Sequence, residues 1–232
     1  MRMEPMLAAE RIIEDSYPDC LLAVLGGSAG RGEFNEFSDL DIAVVKRDGE
    51  ELQRRTIEAC GWVVELFLLP IDVYRTYFDH GIMAGNPTLQ RIIAEGKVIR
   101  RTPDGDEVLH EAQSDLRYGP LPLVSSDIDA YRYMLTEYIA DLRSVRPGAE
   151  LWFTVQKITT LLCEFVLRVH NQWTGEGKTL FRLLSAFDPD FSQRLEQAME
   201  AIYHQDEPAQ LMDLCADTLN AYGGFLLVGY EE

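Results

Sequence analysis

Cysteine is scarce and scattered in this chain. Cys20, Cys60, Cys163 and Cys215 form no C-x-x-C pair, which argues against a thiolate zinc site. Their apolar neighbours point to reduced thiols packed in a core. Histidine is equally sparse: His80, His110, His170 and His204 show no H-E-x-x-H or other ligand spacing, so histidine-based metal chemistry is not expected. No apolar run approaches the about 18 residues that span a bilayer, and no membrane association is expected. The N-terminal stretch MRMEPMLAAERIIED carries acids through its apolar part and lacks a signal-peptide core, so a cytoplasmic protein is expected. Positive charge is also short. Lys and Arg number 21 against 39 Asp and Glu, a net charge of −18. The cations are scattered rather than clustered, which argues against a grip on nucleic acid. The same acidity favours solubility and would attract a cationic small molecule.

What is present is a chain of 232 residues with 47% hydrophobic composition, enough for one large domain or two small ones. Its first half alternates strands and helices, the pattern of an α/β domain. Residues 5–16 read as an amphipathic helix, 21–25 and 40–45 as strands, 50–60 as a helix closed by Gly61, and 62–69 as a strand closed by Pro70. Helices at 71–80 and 87–94 and a short strand at 96–100 follow. The segment Tyr118-Gly119-Pro120-Leu121-Pro122 reads as a linker. Beyond it only helical periodicity remains. Ser126 with Asp129 reads as a capping box, and Asp188-Pro189 as an N-cap with proline at the first helical position. The expected plan is an α/β (α+β) domain with a mixed sheet over residues 1–117 and an all-α helical bundle over 123–232.

The chemistry concentrates in residues 26–45, GGSAGRGEFNEFSDLDIAVV. In a strand, positions i and i+2 share a face. Asp39 and Asp41 therefore project together while Leu40 and Ile42 turn into a core. Two adjacent, half-buried carboxylates repel unless a cation joins them, and carboxylate oxygens are the hard ligands that Mg²⁺ takes. Glu65 is the lone acid in the apolar strand WVVELFL and needs a partner. If the two strands are neighbours, Asp39, Asp41 and Glu65 converge into a site for two divalent ions serving phosphoryl transfer. Gly26 and Gly27 let backbone amides approach an anion. Ser28 adds a hydroxyl, and a helix starting there would add its dipole. Lys178, behind Gly175-Glu176-Gly177, is a further candidate phosphate contact.

This stretch resembles the signature of the polymerase-β-like nucleotidyltransferase superfamily: Gly-Ser, about ten residues, then Asp-x-Asp in a strand. Ser38-Asp39-Leu40-Asp41 matches fully, Ser28 and Arg31 fall in register, Gly30 stands where Ala is usual, and Glu65 occupies the place of the third acid. The resemblance implies transfer of a nucleoside monophosphate, AMP from ATP or from another NTP its counterpart, to a hydroxyl with release of pyrophosphate. Asp39, Asp41 and Glu65 would hold two Mg²⁺ ions, and Gly27, Ser28 and Arg31 would hold the triphosphate. More weakly, the helical half is similar to the C-terminal domain of aminoglycoside and lincosamide nucleotidyltransferases, with its Gly177-Lys178 step. That similarity implies a substrate-binding role for this half and an aminoglycoside-like, cationic small molecule as acceptor. It also implies Glu150, at the start of a long helix, as a general base alongside Glu65. Two alternatives stay open: a nucleotidyltransferase that modifies a protein partner, as antitoxin-like members do, and a catalytically silent nucleotide-binding sensor. Oligomeric state is not legible.

Overall fold

The computed structural model describes residues 2–231. The chain divides into two compact units, Met1–Pro120 and Leu121–Glu232.

The first unit runs α1 (Pro5–Ser16), β1 (Leu22–Leu25), α2 (Gly27–Arg31), β2 (Leu40–Lys46), β3 (Gln53–Ala59), β4 (Trp62–Pro70), α3 (Tyr74–Ala84), α4 (Thr88–Glu95), β5 (Lys97–Arg101) and α5 (Pro103–Tyr118). The strands form one mixed sheet in the order β3-β4-β2-β1-β5. β2 and β4 are parallel, and the remaining pairs are antiparallel. The two-residue period of the central strands sorts their side chains into two cores. Leu40, Ile42, Val44, Val64, Leu66 and Leu68 pack with Ala8, Ala9, Ile12 and Ile13 of α1. Ala43, Val45, Phe67 and Leu69 pack on the other side with Phe78, Ile92, Ile93, Val108 and Ala112 of α3, α4 and α5. Burying each such aliphatic side chain contributes on the order of 1.5–3 kcal/mol. A strand apolar on both faces is therefore held at the sheet's centre.

The segment read as a helix over 50–60 is instead β3, paired antiparallel with β4 from Gln53↔Leu68 to Ala59↔Trp62. Cys60 and Gly61 form the two-residue turn between them, with φ of 53° and 82°, the geometry that suits the right-handed twist of a hairpin. Gly61 is thus a turn residue rather than a helix stop. β3 lies at the sheet's edge with most of its side chains exposed, so its polar sequence carries no burial signal of its own. Long charged side chains on such a strand also discourage edge-to-edge pairing. The helix α5 was not anticipated. Its start is nevertheless written in the sequence: Thr102 Oγ1 accepts from the Gly105 amide at 3.3 Å, Pro103 takes the first helical position, and Asp104 and Asp106 lie in the first turn.

The second unit is all α, as expected: α6 (Ser125–Leu142), α7 (Ala149–Val169), α8 (Lys178–Phe187), α9 (Pro189–Gln205) and α10 (Ala209–Asn220). Leu135, Ile139, Val155, Ile158, Leu162, Leu184, Leu195, Ile202 and Leu211 share one core. Asp188 caps α9, its Oδ1 accepting from the Phe191 amide at 2.9 Å. The capping box expected at Ser126 and Asp129 lies two residues earlier. The Asp127 carboxylate accepts from the Val124 amide at 3.1 Å, and Asp129 pairs with Arg132 at 2.6 Å. The extended backbone of Val124 starts the helix there. Among the described residues, no helix is long and apolar enough to cross a membrane.

Candidate active site

The parallel register of β2 and β4 sets Asp41 directly opposite Glu65. Residues opposed in a ladder point to one face of the sheet. Asp41 and Glu65 therefore share the side of Ala43 and Phe67, one step before the apolar core begins, and both are half-buried. Asp39 stands just ahead of β2. One carboxylate oxygen from each of Asp39, Asp41 and Glu65 lies within 4.8 Å of the others. The convergence expected from the spacing is thus present, and residue 65 is on the same side of the sheet as 39 and 41.

Local bonds hold the approach to Asp39. Asn35 Oδ1 accepts from the Phe37 amide at 2.9 Å, Ser38 Oγ accepts from the Asn35 amide at 2.9 Å, and the Ser38 amide donates to the Asn35 carbonyl at 3.2 Å. This Asx-type turn fixes the loop one residue before the first acid. On the other flank, the Gly26 amide donates to the Asp41 carbonyl at 2.8 Å. That bond lays the Gly-Gly-Ser turn against the start of β2. Gly27 has φ of +59°, and a β-carbon there would come within 2.0 Å of Asp41 Oδ2. Only glycine fits against the carboxylate.

The cluster is electrostatically strained. The Asp41 carboxyl is pushed up to about 6, first by burial and then by the charges of Asp39 and Glu65, against the opposing pull of Arg54 and Arg31. Glu65 Oε2 accepts a 2.6 Å bond from Arg54 Nη2, whereas neither the Asp39 nor the Asp41 carboxylate has a hydrogen bond or ion pair among the described residues. Three hard oxygen donors, two without a protein partner, make a set that fits a divalent cation such as Mg²⁺.

Of the other anticipated residues, Gly27 and Ser28 open α2 beside Asp41. The Ser28 hydroxyl has no partner among the described residues. Arg31, in the last turn of α2, bonds Glu33 through Nε at 3.1 Å, and its charge acts on Asp41. Glu150 and Lys178 belong to the second unit, both exposed, in the first turns of α7 and α8. Arg54 was not anticipated, because its contact with Glu65 exists only once residues 53–59 form a strand. The signal that could have found it is the Cys60-Gly61 pair between two β-capable runs.

Residues 9–99 match the nucleotidyltransferase domain family. They are a nucleotidyltransferase domain. The match contains Gly27, Ser28 and all three acids, so the resemblance to the polymerase-β-like superfamily holds. Among solved structures, a nucleotidyltransferase-like protein from Exiguobacterium sibiricum 255-15 is similar at 14% identity, with a TM-score of 0.45 over 90% of this chain and 71% of that one. No curated protein sequence gives a significant match. Within the nucleotidyltransferase domain, the acidic cluster is the group of side chains suited to metal among the described residues.

Proposed function

We propose that this protein is a Mg²⁺-dependent nucleotidyltransferase that moves a nucleoside monophosphate, AMP from ATP, to a hydroxyl of a small molecule and releases pyrophosphate. The observation that carries the reading is the meeting of Asp39, Asp41 and Glu65 oxygens within 4.8 Å, against a turn whose Gly27 leaves no room for a β-carbon beside Asp41. Nucleotidyltransferase domain membership supports the general reaction.

In this reading Asp39 and Asp41 would hold two divalent ions and Glu65 would complete the set. Bound there, the ions would lower the acceptor hydroxyl's pKa and neutralise charge on the leaving pyrophosphate. The chain's own part is positioning and charge placement. Ser28 and the Gly27 amide hold the β- and γ-phosphates, with Arg31 and Lys178 as further contacts. The acceptor oxygen forms a bond to the α-phosphorus as the bond to the bridging oxygen of pyrophosphate breaks. Its proton passes to Glu150 or to Glu65. The helical unit is read as the substrate-binding part. A net charge of −18 favours a cationic acceptor such as an aminoglycoside-like antibiotic.

The test is incubation with labelled ATP and Mg²⁺ against a panel of aminoglycosides, lincosamides and proteins. Transfer to a small hydroxyl compound, abolished in Asp41→Asn, is the expected result. Pyrophosphate release that survives Asp41→Asn overturns the mechanism. Label found only on protein moves the acceptor to a protein partner, and ATP binding without turnover makes the chain a nucleotide sensor.

A further inference from the structure

Arg54 is the cation that bonds a member of the acidic cluster directly, and its geometry is unlike that of an ordinary surface ion pair. In the antiparallel β3–β4 ladder, Thr56 is opposite Glu65 and Arg54 is opposite Phe67. Arg54 is therefore the diagonal neighbour of Glu65 on the same face, within reach of a long side chain. Its guanidinium carbon lies 5.4 Å from the centre of the Phe67 ring, and from there Nη2 reaches Glu65 Oε2 at 2.6 Å. The arginine side chain is 63% exposed, but that of Glu65 is 20% exposed. An aromatic face beneath and a short charge-assisted bond at the tip hold the planar guanidinium in one orientation.

We infer that Arg54 is a positioning residue that keeps Glu65 a one-oxygen ligand and thereby sets the cation preference of the site toward Mg²⁺ and away from Ca²⁺. The inference rests on the metal-binding reading above. Glu65 faces Asp41 across the ladder, and like charges push its carboxylate away. Arg54 opposes that push. Because Oε2 is spent on Arg54, Oε1 is the oxygen left for a metal. Mg²⁺ takes six ligands in a compact octahedron, keeps several waters, and accepts carboxylates through single oxygens. Ca²⁺ takes six to eight ligands and favours bidentate carboxylates. Freeing Oε2 would offer the second oxygen that Ca²⁺ uses and would release the orientation that Mg²⁺ needs. Partners that orient a ligand in this way commonly change metal affinity by about 10–100-fold when removed.

The experiment measures Mn²⁺ binding to the full chain by EPR, then its displacement by Mg²⁺ and by Ca²⁺, in wild type, Arg54→Met, Arg54→Lys and Asp41→Asn. Thermal unfolding of each metal-free variant checks the fold, which an exposed edge-strand residue should leave intact. Wild type should bind Mn²⁺ and Asp41→Asn should not. In Arg54→Met, Mn²⁺ affinity should fall about tenfold or more and the Ca²⁺/Mg²⁺ displacement ratio should shift about tenfold toward Ca²⁺. Arg54→Lys should recover part of both. If wild type binds Mn²⁺ and Asp41→Asn does not, while Arg54→Met keeps the wild-type ratio, the role of Arg54 is refuted and the metal site stands. If wild type itself binds no Mn²⁺, both are refuted.

Discussion

The Gly27 backbone lies against the Asp41 carboxylate so closely that a β-carbon at position 27 would come within 2.0 Å of Oδ2. The bond from the Gly26 amide to the Asp41 carbonyl, at 2.8 Å, prevents the two from separating. The turn and the acid are therefore one structural object, assembled from residues 14 positions apart in sequence.

Gly27→Ala tests this contact. The substitution must adopt a φ of +59°, costing about 1 kcal/mol, and must displace the carboxylate. The expected result is a loss of Mn²⁺ affinity of about tenfold or more with a fall in melting temperature of only a few degrees. Titration calorimetry and thermal unfolding on the same samples separate the two effects.

Asp41→Asn should stabilise the metal-free protein at neutral pH. The Asp41 carboxyl is raised from its ordinary 3.8 to about 6 in the folded state, so the folded protein holds a proton that the unfolded chain has released. That contribution is fully present below about pH 4 and is lost as pH rises through about 6. Removing the charge should recover about 1–2 kcal/mol at pH 7–8 and nothing at pH 4. Urea denaturation at the two pH values measures it. Nucleotidyl transfer should vanish in the same variant.

Metal binding by the wild type should be linked to proton release. Below about pH 6 the cation must displace the Asp41 proton, so apparent Mn²⁺ affinity should climb as pH rises through that value and level off above about pH 7. An affinity independent of pH between 5 and 7 in the wild type would contradict the raised carboxyl.

The proton acceptor separates Glu150 from Glu65. Glu65 already gives one oxygen to Arg54, whereas Glu150 is exposed in the first turn of α7. Glu150→Gln should lower kcat by about 10²-fold with KM for ATP unchanged. Lys178→Ala should raise KM for ATP with a smaller effect on kcat. An unchanged kcat in Glu150→Gln returns the proton to Glu65.

The parts of this fold legible in the sequence were those governed by short-range rules. The short continuous apolar runs of β2 and β4 announce buried strands, and the Asp-x-Asp spacing puts Asp39 and Asp41 on one side. Gly27-Ser28 announces a tight turn, and Asp188-Pro189 announces a helix start. Each signal lies within a few residues, where backbone sterics and side-chain direction decide the outcome.

Tertiary structure alone decided which strands became neighbours, because strand register is a long-range choice made by packing rather than by local preference. The parallel pairing that sets Glu65 opposite Asp41 is one such choice. The conversion of residues 53–59 from an expected helix into an edge strand is another. The polar side chains there gain little from burial, and pairing with β4 outweighs their weak helical tendency. Arg54 reaches Glu65 only as a consequence of that pairing. The reactive residue types were therefore written in the chain, while the partner that orients one of them was set by where the sheet placed its edge.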